Sequence, residues 1–219
     1  MPLTQLAYRI VKRGVRRLPP ELLRLRPYTV YSIPATRFDG SIALPPATAD
    51  ESIRWADPAE GHGLLSGLAD QANLADWDAP TRRLAVTLHG PDPVACVWVA
   101  RADYTEQELG LRYRLDSADR WVYAAHVLSG ARGRGVYGRL LGFVGGRLRA
   151  EGVSRLVLGV ARGNSASLRA HDRWRPEPIG RVFALRSLGV TLCLASGQVR
   201  RRGLPVRAGS PIELGIGPA

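Results

Sequence analysis

The stretch Ala131-Arg132-Gly133-Arg134-Gly135-Val136-Tyr137-Gly138-Arg139-Leu140 constrains the fold more than any other. The apolar run from Trp121 to Leu128 precedes it and is bounded by Ser129-Gly130. Aromatic and β-branched side chains make that run a buried strand. Beyond the glycines the period changes. Val136, Leu140, Val144 and Leu148 recur at steps of four, and Tyr137 and Leu141 widen the stripe. That spacing predicts a helix, and Gly152 closes it. The order is strand, arginine- and glycine-rich turn, helix.

Such a junction suits an anion. The first N–H groups of a helix have no internal acceptor, and the helix dipole favours negative charge there. Arg132, Arg134 and Arg139 add forked donors that match phosphate oxygens. The turn is no P-loop, because no Gly-Lys-Ser/Thr follows. Gly133 to Gly138 fits G-x-G-x-x-G literally, but the next strand ends in Leu158-Gly159-Val160 without the acid that a dinucleotide site needs.

The turn resembles the acyl-CoA pyrophosphate loop of the GNAT (GCN5-related) N-acetyltransferase superfamily, Gln/Arg-x-x-Gly-x-Gly/Ala. Arg132 and Gly135 fill the first two places, while Tyr137 stands where Gly or Ala is usual. A second motif of that family, Asn-x-x-Ala-x-x-x-Tyr, resembles Asn164 to His171. Asn164 matches, Ser167 is the small residue, His171 occupies the tyrosine place, and Arg175-Pro176 replaces the usual Gly-Phe.

The resemblance implies an α/β fold with a mixed sheet over residues 51–197, and acetyl-CoA or another acyl-CoA as cosubstrate without a metal. It implies a cofactor-binding set of Val127, Leu128, Ser129, Arg132, Gly133, Arg134, Gly135, Val136, Tyr137, Gly138, Asn164 and Ser167. The pantetheine arm would pair with the strand at Val127 to Gly130, and a backbone N–H near Leu128 would polarise the thioester. His171 would protonate the leaving thiolate, as its ordinary pKa near 6.5 allows. The alternative is a helix-surface histidine paired with Asp172 or solvent.

No carboxylate lies between Trp121 and Gly130 to serve as base. Tyr123 occupies the place implied for one, but a phenol is a poor base at neutral pH. His126 is the histidine of that strand, and alternation turns it away from Val127 unless a bulge intervenes. A water relay, Glu106 or Glu108 remain as alternatives.

The formal net charge is +12, carried almost wholly by arginine, with Lys12 the single lysine. Such a surplus favours acidic partners, among them CoA phosphates, anionic lipid and nucleic acid. No nucleic-acid motif is visible, so no specific nucleic-acid partner is expected. Cys96 and Cys193 sit in apolar runs, which predicts buried free thiols.

Residues 3–18 predict a basic amphipathic helix, ended by Pro19-Pro20 and continued in the same style to Pro27. Such a helix packs on the domain or on a second copy, as in a homodimer, or lies in an anionic membrane interface. With no apolar run of spanning length and no signal-peptide pattern, a cytoplasmic protein is expected, peripheral at the inner membrane face in the last case.

Three segments are expected: residues 1–50 with the helix, an extra strand at Tyr28–Ile33 and a linker; the main domain, residues 51–197; and a basic tail, residues 198–219, with one edge strand near Pro211–Leu214. Within the main domain, Asp57-Pro58 predicts a helix to about Gln71. Residues 83–88 and 94–100 predict a hairpin. The expected activity is acyl transfer from acetyl-CoA to the amine of a small molecule or amino sugar by direct attack. The alternatives are an acyl-CoA-binding sensor or scaffold without catalysis, and a basic nucleic-acid binder.

Overall fold

The computed structural model describes residues 23–60, 62–65, 68 and 76–217. The helix expected over residues 3–18 lies outside the described residues.

A nine-stranded sheet organises the chain, in the order β12-β10-β9-β1-β8-β7-β4-β3-β2. Its strands are β1 (Arg24–Pro34), β2 (Glu51–Trp55), β3 (Arg82–His89), β4 (Asp92–Ala100), β7 (Asp119–Val127), β8 (Arg155–Ala161), β9 (Glu177–Ser187), β10 (Val190–Gly197) and β12 (Val206–Ala208). A second sheet has the order β11-β13-β6-β5, built from β5 (Asp103–Glu106), β6 (Leu111–Arg114), β11 (Val199–Arg202) and β13 (Ile212–Ile216). Among the described residues two α-helices complete the frame, α1 (Val136–Ala150) and α2 (Ser165–His171).

The middle of the large sheet is buried on both faces. On one face α1 packs Val136, Leu140, Leu141, Val144 and Leu148 against Ala95, Val97, Val122, Leu156 and Leu158. On the other, Leu111, Tyr113, Ile212 and Leu214 of the small sheet meet Trp98, Trp121, Tyr123 and Val157. Strands covered on both sides read as apolar runs rather than alternations, which is why β4 and β7 stood out in the sequence. The predicted end of α1 has a physical form. Gly152 has φ of +80°, its N–H reaches the Arg149 carbonyl, and the Val153 N–H reaches that of Leu148 at 3.0 Å. These are the two bonds of a Schellman motif, with Leu148 and Val153 both buried.

Four expectations change. Residues 24–27 extend β1 instead of continuing a helix. That strand is no appendage, since it lies between β8 and β9 and pairs with both. The stretch after Asp57 forms 3-10 turns at Pro58–Glu60 and His62–Leu65. There the Asp57 carboxylate accepts from the Ala59 N–H and the Glu60 carboxylate from the Asp57 N–H. Finally, the segment expected as a tail is built into the small sheet. β13 lies inside it, parallel to β6 and antiparallel to β11, with Ile212 and Leu214 buried. Arg200, Arg201 and Arg202 are strand residues.

The linker lies across α1. Phe38 stacks on Trp174 at 5.4 Å between centroids, and a Cβ placed on Gly145 would sit 2.2 Å from the Phe38 ring. Alanine at Gly145 gains about 1 kcal/mol in helix propensity but overpacks this contact by ~1–3 kcal/mol. We expect a net loss of stability for Gly145→Ala in urea unfolding. A stabilised variant would show that the linker does not rest there. Both cysteines are free and buried, and burial pushes the Cys96 thiol up to about 11.

Candidate active site

The site lies where two parallel strands part. β7 and β8 are paired from Asp119↔Arg155 to Val122↔Leu158 and no further. Beyond that point β8 stays paired with β1 as far as Ala161, and β7 stays with β4 as far as Val127. A wedge opens between them with the edge of β7 exposed to it.

A bulge shapes that edge. Cys96 faces His126 and Trp98 faces Tyr123, so Ala124 and Ala125 together oppose Val97. Ala124 has φ of +46°, a left-handed conformation that a bulge accommodates. The extra residue inverts the alternation that follows. His126 thereby shares the face of Cys96, Trp98 and Tyr123, and Val127 packs with the α1 side. Regular alternation would have put His126 under α1. Burial, with Arg132 second, holds the His126 pKa below its ordinary value.

The Leu128 N–H donates to the Val94 carbonyl at 2.9 Å. It therefore points into the sheet, contrary to the expected position of a donor for the thioester. In an antiparallel ladder neighbouring N–H groups alternate in direction, which turns the Val127 N–H toward the wedge. The Val127 carbonyl accepts from Arg132 Nε at 2.9 Å, tying the loop to the strand.

The loop itself is a 3-10 turn at Ser129–Ala131 followed by Gly133 and Gly135, with φ of +76° and +75°. Gly135 is the N-cap of α1, without a side-chain cap and without an acid in the first turn. Next to Gly135 there is no room, because a Cβ would meet Pro45 at 2.7 Å. Arg139, expected to face the anion, is turned inward. It is buried, donates Nε and Nη2 to Glu51, and through Nη1 bonds the Arg134 carbonyl at 2.9 Å and the Pro45 carbonyl at 3.2 Å. The bond from Arg139 in turn holds the Glu51 carboxyl below its usual range. Arg173, which the sequence did not mark among so many arginines, takes its place at the helix start. Its guanidinium lies 3.2 Å from where a Gly138 Cβ would be.

Two cavities meet in the wedge. The first, of about 600 Å³, is lined by the loop glycines, Arg132, Val136, Arg173, Val127 and Asn164. The second, of about 510 Å³, lies toward the small sheet and is lined by Tyr28, Tyr104, Tyr123, Glu106 and Arg26 among others. Ala125, Tyr137, Asn164, Ser167 and His171 line both. Of the predicted residues, Leu128, Ser129 and Arg134 line neither, and His126 lines the first alone. Asn164 caps α2, its Oδ1 accepting from the Ser167 N–H at 3.1 Å, which leaves its amide donors for the cavity.

His171 is 5 % exposed and is no surface residue. Its Nδ1 is 2.7 Å from the Ser167 carbonyl and its Nε2 is 2.8 Å from the Tyr137 hydroxyl. A carbonyl only accepts, so Nδ1 carries the proton and Nε2 accepts from Tyr137. Burial lowers the His171 pKa and the Ser167 bond opposes this; burial raises that of Tyr137. Tyr137 and His171, two of the positions that depart from the resembled motifs, thus touch each other.

In the second cavity burial pushes the Glu106 carboxyl up, against the pull of Arg26 and of the Tyr104 hydroxyl at 3.1 Å. Tyr123 donates to Asp76 at 2.7 Å. Burial and that carboxylate push its pKa up, so Tyr123 is no base. Glu108 lines neither cavity and pairs with Arg24 and Arg26.

The sequence matches no protein-family model and no curated protein sequence. Solved structures do match the fold. A GCN5-related N-acetyltransferase from Sphaerobacter thermophilus aligns with a TM-score of 0.53 at 15% identity, over 85% of this chain and 67% of that one. One from Kribbella flavida gives 0.52 at 15%, over 84% and 64%. The chain has the GNAT fold. A Drosophila protein also aligns, with a TM-score of 0.54 at 12% identity, over 84% of this chain and 57% of that one. The chain spans about three fifths to two thirds of the length of these three structures. Among the described residues no helix is long and apolar enough to cross a membrane.

Proposed function

We propose that the chain is an acyl-CoA-dependent N-acyltransferase, taking acetyl from acetyl-CoA to an amine of a small molecule or amino sugar. One observation carries this reading: a cavity at the arginine- and glycine-rich loop and an acid-bearing aromatic cavity join through a gap between parted parallel strands.

Acyl-CoA supplies an activated acyl group as a thioester. The N–H groups of Val136, Tyr137 and Gly138, free of internal acceptors at the start of α1, hold the pyrophosphate together with Arg132 and Arg173. The edge of β7 takes the pantetheine arm as an added strand, and the Asn164 amide donates to it. The Val127 N–H, in place of Leu128, faces the thioester oxygen, where a fixed donor strengthens as negative charge develops. On the far side Glu106 and the tyrosine rings receive the acceptor as its neutral amine, the form that attacks.

The test is thiol release from acetyl-CoA against a panel of amines, amino sugars included. Acceptor-dependent release supports the reading. Binding of acetyl-CoA with no release for any amine would replace it by the sensor or scaffold alternative. Failure to bind acetyl-CoA would end both.

A further inference from the structure

We propose that Tyr137 and His171 form one proton-shuttling pair, which takes the proton from the attacking amine and returns it to the leaving sulfur. The inference rests on the acyl-transfer reading and names the groups that serve it.

The balance of the reaction sets the need. The amine nitrogen bonds to the acyl carbon and the carbon–sulfur bond breaks. The nitrogen must lose one proton and the thiolate must gain one. No carboxylate of β7 faces the wedge to take that proton, and Tyr123 is committed to Asp76.

The pair is built for the transfer. Both residues line both cavities, at the junction where amine and thioester would meet. His171 is fixed by the Ser167 carbonyl with its proton on Nδ1, so Nε2 is a proton acceptor and its partner is the Tyr137 hydroxyl at 2.8 Å. The rings meet edge to face, 5.3 Å between centroids at 83°. As the amine attacks, its proton passes to Tyr137 Oη while the phenolic proton passes to His171 Nε2. As the sulfur leaves, the same two protons move back along the bond, Nε2 to Oη and Oη to sulfur. The pair ends as it began and no free phenolate is formed. Tyr137 is the catalytic residue here, since its hydroxyl meets the reacting atoms. His171 acts through it, as the group that positions the hydroxyl and holds the proton between the two steps. The pairing also accounts for a tyrosine at the start of α1: its backbone N–H serves the loop while its side chain crosses to α2.

The experiment uses the full chain, acetyl-CoA, and whichever amine the wild type acylates fastest in the panel. Tyr137→Phe keeps the ring and removes the hydroxyl. It should lower kcat by about 10²–10⁴-fold and leave the Kd for acetyl-CoA, read by thermal shift, unchanged. His171→Gln should give a similar loss, and the double variant should be no slower than the slower single, as expected of groups that act as a unit. A Tyr137→Phe enzyme with wild-type kcat, or losses that multiply in the double variant, would overturn the pair while leaving the acyl-transfer reading intact. A wild type that acylates no amine would overturn both.

Discussion

Asp119→Ala is expected to destabilise the chain by about 3–5 kcal/mol, the usual consequence of stripping one partner from a buried ion pair. Asp119 and Arg155 are both nearly inaccessible, with side chains 3% and 4% exposed. They meet through two parallel bonds, Nε to Oδ1 at 2.8 Å and Nη2 to Oδ2 at 2.9 Å. The same guanidinium also bonds the Gly217 carbonyl at the far end of β13. This one pair therefore pins the start of the parallel β7–β8 ladder, where Asp119 faces Arg155, to the C-terminal strand of the second sheet. Removing the carboxylate leaves a buried guanidinium with one carbonyl for company. For a domain of this size the loss corresponds to a fall in Tm of roughly 6–20 °C. Urea unfolding of the purified chain measures it directly. Replacing both partners together, as Asp119→Leu with Arg155→Met, should cost less than the single change, because no uncompensated charge remains. A single-variant cost below about 1 kcal/mol would place the pair in the class of solvated surface bridges.

Gly135→Glu should abolish binding of acetyl-CoA. Three effects act in the same direction at this position. The backbone has φ of +75°, which side chains resist, and a Cβ would strike Pro45. The carboxylate would also stand at the uncapped start of α1, where the proposed pyrophosphate sits. For the wild type, acetyl-CoA at a hundred times its Kd should add about 2.7 kcal/mol to stability. The variant should show none of this shift. Gly135→Ala separates the causes, since it carries the strain and the clash without the charge. It should start from a lower Tm yet keep part of the response to ligand. A Gly135→Glu chain that responds to acetyl-CoA like the wild type would put the pyrophosphate elsewhere.

Much of this was legible in the residues. Period and punctuation located β7, the loop, α1 and β8, because a glycine turn between a two-sided buried strand and a four-step apolar stripe has few other solutions. Strand β1 was visible as a run of β-branched and aromatic residues, but its place between β8 and β9 was not. Pairing across more than 120 residues leaves no local trace, since register depends on which faces are buried together. The interior place of β13, expected as an edge, leaves no local trace for the same reason. Its parallel partner β6 lies about 100 residues earlier.

The site divides along the same line. The sequence by itself determined that an arginine- and glycine-rich turn suited to an anion opens a helix, and that Asn164 and His171 follow at a fixed distance, since these depend on short-range spacing and backbone chemistry. Only the tertiary structure decided which side chains serve it. A bulge at Ala124–Ala125 moved His126 to the other face, Glu51 drew Arg139 inward, and Arg173 came forward beside Gly138. Above all, the meeting of Tyr137 with His171 across 34 residues is a contact between two helices. Periodicity says which face a side chain occupies, but only packing says what that face touches.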